Sequence, residues 1–395
     1  MMHIIISGGG VAGAGLACTL SNLVESSEIE ITVLEKETED DIGFVKRGQV
    51  LRPEATKLIF ETKLIDYLKR KNPVLKYSPK EELWHSSFGY MGSFDYENLA
   101  KGYPMIYLPH PLIVESLHER MAECGIQVLY GAEAVDFQRE IDGKVSVNYR
   151  SKKTKGSVSS SASKVSGDLL VVADGATSNL RASMNMGLDF YDYKSGYLVV
   201  IMDRFSGFEN DRFLINAQGF VPLFSLPDEA MRAMIEINVV NLREWMALSP
   251  EKIQARLGQW SPELSGCRVR EIGSFYHVIR RHAKSYVADR VALIGDAAHT
   301  THPMLGQGMS MVFNDIAVFS SIIKSDPTRA ASIESLKRYE ENARPFNESV
   351  LNNSHELHEA ILEIGRSPSS IVKHHELLER VGFEIDPGLH LGEST

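Results

Sequence analysis

Residues 3–35 read HIIISGGGVAGAGLACTLSNLVESSEIEITVLE, and the change of period within this stretch sets the fold. His3 to Ser7 is a short apolar run of strand type, Val11 to Glu25 has helical character, and Ile29 to Glu35 returns to a strand. That is a β-α-β unit. Between its first strand and its helix stand Gly8, Gly10 and Gly13 in the spacing G-x-G-x-x-G. Gly8 permits the tight turn, Gly10 lets a pyrophosphate approach the backbone, and Gly13 allows the helix to pack closely on the strand. The helix N-terminus then faces a phosphate. Glu35 ends the second strand, where a carboxylate can accept hydrogen bonds from an adenosine ribose. A glycine-rich turn followed by an ordinary surface glutamate is the competing reading. The order strand, helix, strand and acid favours a dinucleotide site.

The rest of the composition narrows the class. A chain of 395 residues with 43% apolar and 24% charged residues buries a large core without staples and implies two intimately packed domains. Acidic residues outnumber basic ones, 52 to 42, for a net charge of -10, which disfavours a phosphate-tracking surface; nucleic acid is not an expected partner. Cys18, Cys124 and Cys267 are far apart with no Cys-x-x-Cys spacing, so neither a disulfide framework nor a thiolate metal site is indicated. A reducing cytoplasm is the expected compartment. The N-terminal apolar stretch lacks a Lys/Arg-rich lead and is threaded with glycines, so it reads as strand, turn and helix, not as a secretory signal. No uncharged apolar run reaches the roughly 20 residues of a membrane span, leaving only peripheral membrane contact.

Further along, helical spacing predicts helices over Leu51 to Arg70 and Pro111 to Cys124, followed by a strand from Ile126 to Tyr130. Ser151 to Gly167 is Ser/Lys-rich and reads as the tip of a surface hairpin. From Gly196 to Phe275 the pattern turns mainly to strands, with one short helix near Pro250 to Gln259. Val291 to Ile294 is again a strand, followed by a glycine-rich loop, a helix from about Gly306 to Ile323, and further helix towards residue 382.

Two later segments join the first fingerprint. Asp168 to Arg181, DLLVVADGATSNLR, carries Asp174, Gly175, Ser178 and Arg181; Ala292 to Gly308, ALIGDAAHTTHPMLGQG, carries Gly295, Asp296, Pro303, Gly306, Gln307 and Gly308. Together, and in this order, the three motifs resemble those of the single-component (group A) FAD-dependent monooxygenases, the p-hydroxybenzoate hydroxylase-like family. The stretch HPMLGQGMSMVFND, His302 to Asp315, also echoes squalene epoxidase. The resemblance implies FAD as cofactor, NADPH or NADH as reductant and dioxygen as co-substrate, with a flavin hydroperoxide passing oxygen to an electron-rich carbon.

Physical reasons accompany each position. Asp296 follows an apolar strand, where its carboxylate can meet ribityl hydroxyls while Gly295 lets the backbone come close. Gly306 and Gly308 open a helix whose N-H groups and dipole stabilise the anionic edge of reduced flavin. Pro303 stiffens the wall beside them. The resemblance implies an arginine on the pyrophosphate; Arg47 falls there, and Lys46 or Arg52 are alternatives. Arg181 either orients the loop at Asp174 or contacts a nicotinamide cofactor. His110 stands where many relatives have arginine, and no catalytic role follows for it. His299 and His302, in a loop without a nearby carboxylate cluster, read as structural, and no metal is expected.

The expected fold is α/β. A Rossmann-like FAD domain is assembled from residues 1–75, 100–182 and 276–325, with a β-sheet substrate domain from 76–99 and 183–275 and a C-terminal helical region over 326–395. Pro303, Gly306 and Gly308 are the expected catalytic surroundings of the flavin. The expected reaction is hydroxylation of a small aromatic, phenolic or polycyclic; epoxidation of an isoprenoid or polyene alkene is the alternative, and a flavoprotein that only sequesters a reactive molecule is the rival of another class. Trp84, Phe88, Tyr90, Phe94, Tyr96, Phe213, Phe220, Phe224 and Tyr276 are the aromatic candidates for a pocket lining.

Overall fold

The computed structural model describes residues 1–42, 48–61, 64–66, 69, 80–95, 102–103, 105–153, 157–226 and 228–389. Lys46, Arg47 and Tyr96 lie outside them, as does the centre of the hairpin tip at 154–156.

The opening unit forms as its periodicity predicts. Strand β1 (Met2–Ser7), helix α1 (Val11–Leu23) and strand β2 (Ile29–Glu35) follow one another, and β1 and β2 pair in parallel. Strand β3 (Gln127–Tyr130) adds to β2, and β4 (Leu169–Val172) adds to the other side of β1, both in parallel. Val291–Leu293 continues the parallel sheet and Val287–Ala288 closes it as an antiparallel edge. All four residues of β4 and Ile4, Ile5 and Ile6 of β1 are fully buried, as strands covered on both faces must be. Helix α2 (Pro53–Glu61) is shorter among the described residues than the Leu51 to Arg70 reading. Helix α3 (His110–Glu123) starts one residue ahead of its expected position. Helix α4 (Gly308–Ser325) packs on α1, and the long α5 (Ile333–Arg366) packs on α4.

A second, nine-stranded sheet runs in the order His299–Thr300, β7 (Val269–Ala283), β5 (Leu188–Asp203), β6 (Ala230–Asn238), Gly219–Leu226, Asp211–Asn216, Lys80–His85, Gly89–Asp95 and Phe383–Ile385. The last strand comes from the stretch next to the final helix, a return that periodicity did not foresee. Alternation sorts its faces. Leu198, Val200, Met231, Ala233 and Ile235 pack with Ile253, Leu257 and Trp260 on one side. Tyr197, Val199, Met234 and Tyr276 look the other way, towards a cavity. The hairpin is present as Val145–Lys153 paired with Ser157–Gly167. No helix among the described residues is long and apolar enough to cross a membrane.

Candidate active site

Three loops distant in sequence meet beyond the carboxyl ends of β1, β4 and Val291–Leu293, where open parallel sheets place their ligands. Gly8 turns with φ +103°, and a Cβ there would lie 2.4 Å from Ala173 O, so the first glycine loop touches the start of the Asp174 loop. A Cβ on Gly13 would lie 1.9 Å from Gly8 O, and one on Gly295 would lie 2.7 Å from the Ala12 Cβ. Gly10 differs: nothing stands within 4 Å of its Cβ position. Gly10 is the N-cap of α1, which has no capping side chain and no acid in its first turn. The uncapped N-H groups therefore face open space. A dinucleotide pyrophosphate fits such a cradle.

Glu35 is buried, with Oε2 accepting from Gly9 N at 2.7 Å and Oε1 from Glu37 N at 2.8 Å. A carboxylate offers about four lone pairs, so acceptor capacity is left for a ribose. Arg181 Nη1 donates to Ala297 O at 2.9 Å and Nη2 to Ala176 O at 2.8 Å, tying the loop after β4 to the loop after Val291–Leu293. Asp174 lies in the first of these loops. Burial pushes its carboxyl up, opposed by Ser178 and Arg181.

The third motif is re-registered by the structure. Pro303–Leu305 forms one 3-10 turn, Gly306 closes it at φ +63°, and α4 starts at Gly308 with Gln307 as N-cap. The expected helix start at Gly306 is thus two residues early, because the left-handed turn must be completed first. Asp296, exposed, lines the cavity with Pro303, Gly306 and Gly308. Arg52 closes one wall: it is buried, pairs with the fully buried Glu81 at 3.0 Å, and its Nε lies 3.0 Å from the Cβ position of Gly306.

The cavity, about 560 Å³, spans from these loops to the nine-stranded sheet. Of the aromatic candidates, Phe213, Phe220, Phe224 and Tyr276 line it, whereas Trp84, Phe88, Tyr90 and Phe94 do not. Sequence reasoning missed Tyr197 and Arg232. The alternation in AMRAMIEIN, residues 230–238, puts Arg232, Met234 and Glu236 on one face, and that signal was available.

The two loop histidines do have carboxylate neighbours, contrary to expectation, because the partners arrive from helices and strands far away. His299 Nε2 lies 2.8 Å from Asp315 Oδ2 on α4; the same oxygen takes Gly295 N at 2.8 Å, and Oδ1 takes Asn347 Nδ2 at 2.8 Å. Asp315 thereby clamps the Gly295 turn. His302 stacks on His358, ring centroids 4.0 Å apart, and His358 Nε2 is 2.9 Å from Glu236 Oε1. Glu236, His302 and His358 could group around a metal ion. However, His302 Nδ1 accepts from Met304 N at 3.2 Å, so the neutral ring carries its proton on Nε2 and has no lone pair left to bind with. Burial, then His358, drives the His302 pKa well down, which keeps the ring neutral.

Residues 1–354 match the model of a family described as FAD binding domain. The chain belongs to that family. It is 27% identical over 183 residues to 3-demethoxyubiquinol 3-hydroxylase of Escherichia coli (strain K12), a match covering 44% of this chain and 45% of that protein. It is 25% identical over 408 residues to the mitochondrial ubiquinone biosynthesis monooxygenase COQ6 of Mus musculus, covering 88% and 81%. The fold is shared with p-nitrophenol 4-monooxygenase PnpA from Pseudomonas putida DLL-E4, at TM-score 0.75 and 18% identity over 97% of this chain and 95% of that one. Within the FAD binding domain family, this chain is an FAD-dependent monooxygenase, an oxidoreductase.

Proposed function

We propose that the chain hydroxylates a small phenolic or polycyclic aromatic, with NADPH or NADH as reductant and dioxygen as co-substrate. The carrying observation is the continuity of one cavity from Asp296, Pro303, Gly306 and Gly308 to the aromatic floor at Phe213, Phe220, Phe224 and Tyr276. Bound FAD supplies the electron transfer and the activation of oxygen. Gly10 and the uncapped N-H groups at the start of α1 would receive its pyrophosphate, with Gly8 and Gly13 closing the turn behind them; Glu35 would take the ribose hydroxyls, and Asp296, with Gly295 giving backbone access, would meet the ribityl chain. Asp174, Gly175 and Arg181 shape the loop between them. At the α4 N-terminus, Gly308 and its neighbours offer N-H groups and the positive dipole end to negative charge; Gln307 and Gly306 set their direction. Pro303 and the aromatic floor exclude water and hold the substrate within reach.

Replacing Asp296 with Ala removes acceptors that face bound hydroxyls. The expected result is FAD retention weakened by about 1 to 3 kcal/mol. Equilibrium dialysis against FAD reads the effect, and an unchanged dissociation constant places Asp296 outside the site. The substrate class is tested by screening phenols for stimulated NADPH or NADH oxidation by the FAD-loaded protein. Stimulation by phenols, with hydroxylated product, is expected; stimulation by alkenes alone, with epoxide, overturns the aromatic reading.

A further inference from the structure

The strand Phe383–Ile385 closes one edge of the nine-stranded sheet, and it lies beyond the residues 1–354 that match the family model. The stretch before it is held against α5: Lys373 Nζ donates to Glu363 Oε1 at 2.8 Å, His374 Nε2 meets Glu363 Oε2 at 3.0 Å, and Arg380 pairs with Glu356. Ile371, Leu378 and Phe383 are at most 3% exposed. They belong to the same apolar cluster as the cavity residues Tyr197, Phe213, Phe220 and Met304. After its long helix, the chain thus returns to the back of the cavity wall.

The attachment is specific. Phe383 stands opposite Phe94 on the Gly89–Asp95 strand, and the two rings meet edge to face with centroids 5.0 Å apart. Gly92 makes the room: its φ is +146°, and a Cβ there would lie 2.8 Å from Phe383 Cζ and 2.2 Å from Glu384 O. A larger residue beneath that ring would displace the strand. From Phe94 the contacts pass inward. The Phe213 ring lies 6.3 Å from Phe94, and Phe213 in turn meets Phe220 at 5.4 Å and Phe224 at 6.2 Å. Those three rings line the cavity and Phe94 does not, so Phe94 is the layer between the returning strand and the wall.

We infer that residues 368–385 form a strap that sets how large an aromatic the cavity admits, with Phe383 as the positioning residue acting through Phe94 on Phe213. The inference rests on the aromatic-substrate reading above and adds a size determinant to it. A close-packed interior transmits the loss of a ring to its neighbours, which collapse partly into the gap. Without the Phe383 ring, Phe94 and then Phe213 gain space to retreat, and the cavity deepens at its aromatic wall. The cofactor loops stand apart from this line of contacts: Val11, Ala14, Ala173 and Ala297 pack in the other large core cluster. Substrate size therefore responds to Phe383 while FAD affinity does not.

The test compares phenol with the larger 2-naphthol. Their dissociation constants are read from the flavin spectrum of the FAD-loaded protein, for the unaltered chain and for Phe383→Leu, Phe383→Ala and Gly92→Ala. The ratio of the two constants should shift towards 2-naphthol in order of lost volume, by about tenfold in Phe383→Ala and by less in Phe383→Leu. Gly92→Ala, which pushes the same ring away from the opposite strand, should shift it in the same direction. The FAD dissociation constant should stay at the parent value in all three. Where alanine at 383 prevents folding, the milder leucine variant decides. An unchanged ratio, or loss of both ligands together with FAD, makes Phe383 an ordinary core residue and overturns the strap alone. If no phenol perturbs the flavin of the unaltered protein, the aromatic reading itself falls and the strap with it.

Discussion

Replacing Gly10 with valine is expected to give a folded, colourless protein. Gly10 has nothing within 4 Å of its Cβ position, so the protein itself accommodates the side chain. What the valine fills is the space in front of the uncapped α1 N-terminus, where a pyrophosphate must sit. The cost falls on the cofactor: more than about a hundredfold in the FAD dissociation constant, or roughly 3 kcal/mol. Gly13 provides the contrast, because a Cβ there would overlap Gly8 O at 1.9 Å and the chain itself must distort. Flavin content and circular dichroism separate the two. Normal flavin content in Gly10→Val would remove the first glycine loop from the site.

Asp315→Ala should cost more stability than any surface change, on the order of 3 kcal/mol, the scale of leaving buried hydrogen-bond donors without their acceptor. Asp315, His299 and Asn347 are at most 2% exposed, and the carboxylate accepts from three donors, Gly295 N, His299 and Asn347 Nδ2. Alanine leaves Gly295 N and His299 Nε2 without this acceptor, and Asn347 Nδ2 with only the longer contact to Tyr286 Oη at 3.4 Å. Asparagine does little better, since its amide puts a donor where donors already point. The Gly295 turn then loses the anchor that holds it beside Ala12, so FAD affinity should fall together with the urea midpoint. Unfolding curves at saturating and at zero FAD read both effects. A midpoint within experimental error of the parent would show that Asp315 does not clamp the loop.

What the sequence disclosed follows from how local each constraint is. Gly8, Gly13 and the β-α-β period are legible because tight turns and close helix packing require glycine and set a spacing within one supersecondary unit. Glu35 was legible for the same reason. Asp315, by contrast, reads as an ordinary helix residue until the fold brings it to Gly295 and His299. The loop histidines read as lacking carboxylates because Asp315 is on helix α4 and Glu236 on strand β6, and only tertiary packing turns those side chains towards the loop. The Arg52–Glu81 pair joins the start of α2 to the Lys80–His85 strand, and only tertiary packing unites them. That Tyr276, Tyr197 and Glu236 stand in one row across three strands depends on antiparallel register, which alternation within one strand cannot supply.

Oxygenation of an aromatic is tested most directly by the fate of isotopically labelled dioxygen. The FAD-loaded protein, with NADPH or NADH and a phenol that stimulates its oxidation, is turned over under the labelled gas and the product is weighed by mass spectrometry. The expected result is a new ring hydroxyl carrying one labelled oxygen atom per product molecule. A ligand that binds tightly, is shielded from spontaneous decay and never acquires the label would contradict it and make the chain a flavoprotein that sequesters its ligand.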